Sequence, residues 1–337
     1  DQILMHDLAY EPLIELDPDG GLSPGLATSW KYMNSSLTVF DLTLRSRVRF
    51  SDGESLTAAA VAASIKRYKT SLGPGTQYVQ DISSASAVGP LTVQLDLSRG
   101  NPLIALLLTQ RFLTGDIIGP KGSADPKILG TSTDGAGPYE LDTASTIAGS
   151  KYVYVPNPYF FDRSAVHFNT FTVDVVTNPQ TALNELEAGT IAYADGSYIS
   201  MSAAQSAGLK IYPVESSIYG IWLFDRQGAL VPALKSQLVR EALSYAIDRP
   251  AIAQALFGKY GLGDDEISLP GYQGEGYVPS YRLHYAYNLS KAKELLKEAG
   301  YPNGFSMNLG ATSTEGDGVV LAEAVAADWA KVGVTVN

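Results

Sequence analysis

Two hydrophobic periods alternate along this chain, and their order limits the folds that it can adopt. In the stretch LTVFDLTLRSRVRF, apolar and polar residues alternate from Phe40 to Leu44, which is the two-residue period of a half-buried strand. Thr57 follows as a predicted helix cap, and Val61 and Ile65 then share one face of a helix. Strand and helix patterns continue to interleave toward the end of the chain. This order predicts an α/β architecture of more than one lobe.

Further segments have patterns that predict their local structure. Residues 121–150 are rich in Gly, Ser, Thr, Asp and Pro, which predicts mostly loop. The stretch SSIYGIWLFD (216–225) predicts a long strand. Ser290 is predicted to cap the helix KAKELLKEA, and Trp329 lies on the apolar face of a later amphipathic helix.

The length and composition of the sequence limit the class of protein to which it can belong. With 337 residues, of which 45% are hydrophobic, the chain is globular and long enough for two or more domains. It has no cysteine, which excludes disulfides, thiolate chemistry and cysteine-ligated metal sites. No apolar run approaches the roughly 18 residues that a membrane span needs. The first residues lack the basic and apolar regions of a signal peptide, so we expect any export signal to lie outside this sequence.

The stretch LVREALSYAIDRPAIAQALFG (238–258) has the outline of a DNA-reading helix-turn-helix. A duplex-binding protein needs a clustered positive field, whereas this chain has a net charge of −11 and a pI near 4.8. We therefore expect the helix pair to be packing structure. Asp248 or Arg249 is predicted to cap the second helix, with Pro250 in its first turn.

The sequence contains no local motif for catalysis or metal binding. Its three histidines, His6, His167 and His284, are too far apart to form a local ligand pair. The acidic run 264–266 is interpreted as a solvated patch. Tyrosine occurs 20 times, which suits a pocket that recognises solutes by shape, because tyrosine combines apolar area with a polar group. These features favour binding over catalysis.

Six stretches, taken together and in order, resemble one protein family. They are AYEPLIELDPDGGLSPGLATSW (9–30), LTVFDLTLRSRVRFSDGESLTAAAVAASIKR (37–67), GAGPYEL (135–141), NPYFFDR (157–163), the helix pair at 238–258 and YNLSKAKELLKEAGYPNGF (287–305). The resemblance is to the extracellular solute-binding proteins of ABC importers, family 5, which includes dipeptide-, oligopeptide- and nickel-binding members. It runs from about residue 9 to residue 336.

The resemblance implies a fold and a division into domains. The implied fold is α/β and periplasmic-binding-protein-like, of the class II or cluster C type, with two hinged lobes, an extra inserted domain and an incomplete C-terminal lobe. Residues 1–11 and 156–226 would form domain I, residues 12–155 the inserted domain II, and residues 227–337 the N-terminal part of domain III. Because members of the family extend further on both sides, we expect this sequence to be a fragment.

The resemblance also implies a function. A small solute, either a peptide or another polar solute, would be captured in an interlobe cleft and delivered to the membrane subunits of an ABC permease. The protein would need no cofactor, metal, catalytic residue or nucleic acid, and we expect a monomer. Its expected location is periplasmic or cell-surface, with a lipid anchor on the full-length form as one option. Two alternatives stay open, namely a ligand-sensing domain of a regulatory protein and a hydrolase with a dispersed site.

Six residues are expected to contact the solute on the same resemblance: Ile3, His6, Tyr78, Arg111, Tyr219 and Trp222. Tyr219 and Trp222 would point to opposite sides of their predicted strand, so one of them is expected to lie in the core. Asp116 and Gly75 stand where nickel-binding relatives carry arginines for an anionic chelate. This departure does not favour a nickel chelate as the solute.

Overall fold

The computed structural model describes residues 2–71, 73, 75–196, 198–212, 218–266, 278–311 and 317–337. The chain divides into two compact units, Asp1–Asp195 and Gly196–Asn337. Within the described residues, the helices and strands of the first unit are α1 Gln2–Ala9, β1 Ile14–Leu16, β2 Leu22–Pro24, β3 Ala27–Tyr32, β4 Val39–Leu44, α2 Ala58–Thr70, β5 Ile82–Gly89, β6 Thr92–Leu97, α3 Ile104–Leu107, α4 Pro120–Ala124, β7 Tyr139–Leu141, β8 Lys151–Pro156, β9 Phe171–Asp174 and α5 Pro179–Glu187.

The main sheet of the first unit has the strand order β3-β4-β6-β5, and all its neighbouring strands are antiparallel. The alternation predicted around Phe40 and Leu42 is confirmed, since both side chains are buried while the intervening Asp41 is half-buried. In β6, Leu95 is also buried and faces Phe40 in the strand register. One face of the sheet therefore supplies the principal core of the unit.

Helix α2 covers this core with a buried face that includes Val61 and Ile65. Thr57 caps the helix as predicted, because its side chain accepts a hydrogen bond from the N–H of Ala60 at 3.2 Å. A smaller core lies between α1 and the antiparallel sheet β7-β8-β9. The prediction of mostly loop for 121–150 is confirmed, although the end of α4, a 3₁₀ turn at Pro126–Gly130 and β7 interrupt the loop. Short elements held by tertiary contacts leave little periodic signal.

Helices dominate the described residues of the second unit. Its elements are α6 Tyr198–Ser206, α7 Gln237–Tyr245, α8 Arg249–Phe257, α9 Leu289–Glu298, β10 Ser306–Met307, α10 Asp317–Ala330 and β11 Thr335–Val336. Strands β10 and β11 pair in parallel. Helices α7, α9 and α10 contribute buried residues to one core, in which Trp329 is almost fully enclosed, as its helical pattern predicts.

The break between α7 and α8 forms as predicted. Asp248 caps α8, since its carboxylate accepts the N–H of Ala251 at 3.2 Å, and Pro250 lies in the first turn. The N–H of Asp248 itself donates to Oδ2 of Asp328 in α10 at 2.9 Å. The pair is thereby tied to a helix far along the chain, which suits packing structure.

The carbonyl groups at the end of α7 are satisfied by other parts of the second unit. Nε1 of Trp329 donates to the carbonyl oxygen of Leu243 at 2.9 Å, and the N–H of Asn288 donates to that of Tyr245 at 2.8 Å. These bonds replace the partners that a helix end lacks. They also join α7, α9 and α10 into one packed group.

Two local predictions in the second unit were wrong. Of the predicted strand 216–225, the structure describes residues 218–225. They form no strand, because no described segment lies beside them as a hydrogen-bonded partner strand. The cap of α9 is Asn288 rather than Ser290, and its side chain accepts the N–H of Lys291 at 2.9 Å. Asn288 is selected because its own N–H is already anchored on α7.

Candidate functional site

Residues 108–118, named here the central segment, lie beside the connection from α1 to β1. The N–H of Leu13 donates to the carbonyl oxygen of Gly115 at 2.8 Å, and the N–H of Ile14 donates to that of Leu108 at 3.3 Å. A Cβ on Gly115 would lie 1.9 Å from the carbonyl oxygen of Leu108, so a residue without a side chain is needed here. The segment therefore folds back on itself and holds its neighbouring side chains in place.

A buried carboxyl group of the central segment lies next to a half-exposed histidine of α1. Oδ2 of Asp116 is 3.9 Å from Nδ1 of His6. The side chain of Asp116 is fully buried, whereas 39% of the His6 side chain is exposed. Within the described part of the chain, neither Nδ1 of His6 nor either carboxyl oxygen of Asp116 has a hydrogen-bond partner. Such atoms are rare, because buried polar atoms are almost always hydrogen-bonded.

Burial sets the charge state of this pair. It raises the pKa of Asp116 well above its usual range, and the carboxyl groups of Asp7 and Glu11 raise that pKa further. Burial also lowers the pKa of His6. Both shifts favour the neutral form of each group, because burial away from water disfavours a charge on either side chain.

A second buried carboxyl group, that of Glu11, lies on the connection from α1 to β1. Burial raises the pKa of Glu11 to about 8, and the nearby carboxyl group of Glu15 adds to this shift while Arg45 opposes it. The carbonyl oxygen of Glu11 accepts the N–H of Ile117 from the central segment at 3.3 Å. Acidic groups are therefore concentrated around this segment.

Two of the predicted contact residues, Tyr78 and Arg111, adjoin the same segment. Tyr78 lies in a 3₁₀ turn, and its half-buried ring meets Phe112 edge to face, with ring centroids 4.7 Å apart. Arg111 precedes Phe112 and is exposed. A Cβ on Gly75 would lie 2.9 Å from Cγ2 of Thr114, which shows how closely this turn packs on the central segment. The structure thus brings an aromatic ring and a guanidinium to the segment that also carries the buried carboxyl group.

The other predicted contact residues are placed differently. Ile3 belongs to α1 by its backbone, but its side chain lies outside the described residues. In the second unit, Tyr219 stacks on Phe257 at 5.4 Å, and Trp222 stacks on Phe224 at 6.4 Å. The expectation that one of Tyr219 and Trp222 lies in the core was wrong, because 39% and 62% of these residues are exposed. Without a strand there is no buried face for either ring.

The acidic run 264–266 is half-buried, so the prediction of a solvated patch was wrong. Oδ2 of Asp264 is 3.5 Å from Nε of Arg282, and Oδ2 of Asp265 accepts the N–H of Tyr285 at 2.6 Å. These partners give the run a structural role in organising the loop that follows α8.

Sequence reasoning did not include Asp116 or Glu11 among the contact residues. Both occur beside apolar residues, Asp116 before Ile117 and Glu11 before a proline and Leu13. The apolar residues next to each carboxyl group were the sequence signal that it would be buried. Its proximity to His6 could not be predicted, because that contact joins segments more than a hundred residues apart.

An open groove of about 660 Å³ is also present in the first unit, between the end of β9 and α5. Its lining includes Asp174, Thr181 and Glu185, and none of the six predicted contact residues lines it. Within the described ranges, no group of three or more His, Cys, Asp or Glu side chains could hold a metal ion. None of the helices in these ranges is long and apolar enough to cross a membrane.

Known proteins of similar sequence include the glutathione-binding protein GsiB of Escherichia coli O1:K1 / APEC. It is 29% identical over 304 residues, which cover 89% of this chain and 57% of that protein. GsiB of Salmonella typhi is 28% identical over 306 residues, with the same two coverages. The chain therefore spans less than two thirds of the length of these relatives, which are named for binding and not for catalysis.

Solved structures of similar fold are also binding proteins. The PBP AgaA of A. tumefaciens R10 in complex with agropinic acid has a TM-score of 0.78 and 24% identity, covering 99% of this chain and 67% of its own. NikA from Brucella suis in complex with Fe(III)-EDTA has a TM-score of 0.72 and 24% identity, with coverages of 99% and 70%. The periplasmic binding protein DppA from Helicobacter pylori in complex with the peptide STSA has a TM-score of 0.72 and 22% identity, with coverages of 98% and 67%.

These likenesses confirm the predicted fold class, a mixed α/β fold of the periplasmic-binding-protein type. The model of the bacterial extracellular solute-binding proteins, family 5 Middle, matches residues 21–337. The match confirms the resemblance that the six sequence stretches predicted. The chain belongs to the bacterial extracellular solute-binding proteins of family 5.

Proposed function

We propose that this chain is part of the substrate-binding component of an ABC importer, which captures a small solute outside the cytoplasm and delivers it to the permease subunits in the membrane. The family match over residues 21–337 carries this proposal. The names of the relatives support it, since they describe glutathione binding and complexes with agropinic acid, with Fe(III)-EDTA and with a peptide. A peptide or another small polar solute is the substrate class that we infer.

The side chains around the central segment suit non-covalent capture. Tyr78 offers a half-buried aromatic ring, Arg111 an exposed guanidinium and His6 a half-exposed imidazole. Such a mixture of apolar surface and a few polar groups is typical of sites that hold small molecules. We infer that the protein binds its solute without changing it and needs no cofactor.

The predicted domains belong to the same proposal. Domain I comprises residues 1–11 and 156–226, domain II residues 12–155, and the N-terminal part of domain III residues 227–337. A solute that contacts two hinged lobes would stabilise their closed arrangement by its differential contacts. Periplasmic or cell-surface location and a monomeric state complete the proposal.

A thermal-shift screen tests this function directly. The chain would be heated with di- and oligopeptides including glutathione, with oligosaccharides and with metal chelates. A bound solute at about 100 times its Kd stabilises a protein by about 2.7 kcal/mol, which is readily measured. We expect at least one class to raise Tm and to be recovered unchanged. Conversion of the solute, or stabilisation by none of the classes, would contradict the proposal.

A further inference from the structure

Asp116 is a buried group that the fold does not explain. Its side chain has no exposed surface, and neither carboxyl oxygen has a hydrogen-bond partner among the described residues. Burying a carboxyl group without a partner destabilises a protein, and an apolar residue would fill the same space at lower cost. The packing of the described residues therefore does not account for a carboxyl group at this position.

The surroundings of Asp116 favour a positive partner. Asp7 in α1 and Glu11 on the connection after it both act on the ionisation of Asp116. Tyr68 of α2 lies close enough to feel Asp116, since burial raises the pKa of its hydroxyl group and Asp116 raises it further. The groups that reach Asp116 from these three places are thus acidic or neutral. Whichever of these acidic groups is ionised attracts a cation and repels an anion.

His6 lies between Asp116 and solvent. Its Nδ1 is buried and lies 3.9 Å from Oδ2 of Asp116, so the exposed 39% of the side chain belongs to its other atoms. A neutral imidazole that carries its proton on Nδ1 presents Nε2 as an acceptor. A carboxyl group behind Nδ1 fixes that tautomer, as carboxylates do for histidines that bind cations elsewhere.

We propose that His6 and Asp116 form a receptor for a cationic nitrogen of the solute, an ammonium or guanidinium group, an inference that rests on the proposed solute-binding function. The N–H of the cation donates to Nε2 of His6, and Nδ1–H turns toward Asp116. In its ionised form, Asp116 balances the positive charge of the bound cation. His6 contacts the solute, and Asp116 is a positioning residue that acts through the imidazole.

The test uses methylammonium chloride as the cation and the imidazole NMR signals of the protein, which has three histidines. At constant ionic strength, methylammonium is expected to shift the His6 signals saturably, whereas sodium chloride is not. The dissociation constant is expected to fall as the pH is raised through the range in which Asp116 ionises, because ionised Asp116 binds the cation more strongly. Asp116→Asn is expected to weaken binding at least fivefold and to remove this pH dependence.

Further variants keep the test decisive. Asp174→Asn, at an exposed carboxyl group elsewhere in the first unit, must respond like the parent protein. If Asp116→Asn does not fold, His6→Gln at the half-exposed position replaces it, and methylammonium is then expected to raise the Tm of the parent but not of this variant. An equal shift of His6 with sodium, or a full response in both site variants, overturns the receptor.

The receptor and the proposed function can fail separately. If a solute from the thermal-shift screen binds while methylammonium leaves His6 unchanged, the receptor is wrong and the function stands. If no solute binds while methylammonium still produces the Asp116-dependent shift, the receptor stands and the function fails.

Discussion

The ring of Tyr78 rests edge to face on the ring of Phe112, with the two centroids 4.7 Å apart. This contact fixes the direction of a half-buried tyrosine on a residue that directly follows the exposed Arg111 in the chain. A ring held in this way can stack on a solute without a further loss of side-chain freedom. Tyr78 is therefore the predicted contact residue of the first unit that is easiest to test.

Tyr78→Ala is expected to weaken binding of a solute found in the thermal-shift screen by about tenfold, or about 1.4 kcal/mol. Tyr78→Phe retains the contact with Phe112 and should lose much less. Isothermal titration calorimetry measures both effects. Tyr193→Ala, at a position that is 67% exposed in the same unit, serves as the control. Equal affinities for Tyr78→Ala and the parent would remove Tyr78 from the site.

Glu11 should make stability depend on pH. Its pKa in the folded protein is about 8, raised by burial from an ordinary value of 4.5. Between these values the unfolded chain binds fewer protons than the folded chain, so the free energy of unfolding falls as the pH rises. Glu11→Gln is expected to reduce this slope in urea unfolding measured from pH 4.5 to pH 8. Glu187→Gln, in an exposed position of α5, should leave it unchanged.

Gly135, in the stretch GAGPYEL, contacts the main chain at the end of α1. A Cβ there would lie 2.1 Å from the carbonyl oxygen of Ala9, and this backbone atom cannot move aside alone. Gly135→Ala is expected to lower the free energy of unfolding by about 2 kcal/mol or more. Gly130→Ala provides a matched control, because a Cβ there meets no atom within 4 Å. Similar urea midpoints for the two variants would contradict this account.

Trp329 should matter for stability far more than Trp222. Trp329→Phe removes the donor to the carbonyl oxygen of Leu243 and leaves a small cavity, at an expected cost of about 2–3 kcal/mol. Trp222→Phe changes a ring that is 62% exposed and should alter stability by less than about 0.5 kcal/mol. Chemical denaturation followed by far-ultraviolet circular dichroism compares them, and a reversed order would refute the packing described for the second unit.

Elements whose structure follows from a local residue pattern could be predicted from the sequence. The alternation through Phe40 and Leu42 identifies β4 because one side of that strand packs on a core. Thr57 could be recognised as a cap because its partner, the N–H of Ala60, is three residues away. The family resemblance was also within reach, since its six stretches occur in order along the chain.

Features decided by distant segments could not be predicted. The pattern around Tyr219 and Trp222 suits a strand, but a pattern does not show whether a neighbouring strand is present. Asn288 and Ser290 are both able to cap a helix, and the choice depends on the bond from Asn288 to α7. Asp116 becomes buried next to His6 only when the central segment and α1 come together in the fold.

The bond from the amide of Asp248 to the carboxylate of Asp328 spans 80 positions of sequence. A peptide comprising only residues 237–257 would leave that amide to water, and the indole that serves the carbonyl of Leu243 would be missing as well. The helix pair placed in another scaffold would consequently lack the hydrogen bonds that fix the turn between its two helices. To keep its structure in another protein, the helix pair must be transferred together with the helix that carries Asp328 and Trp329.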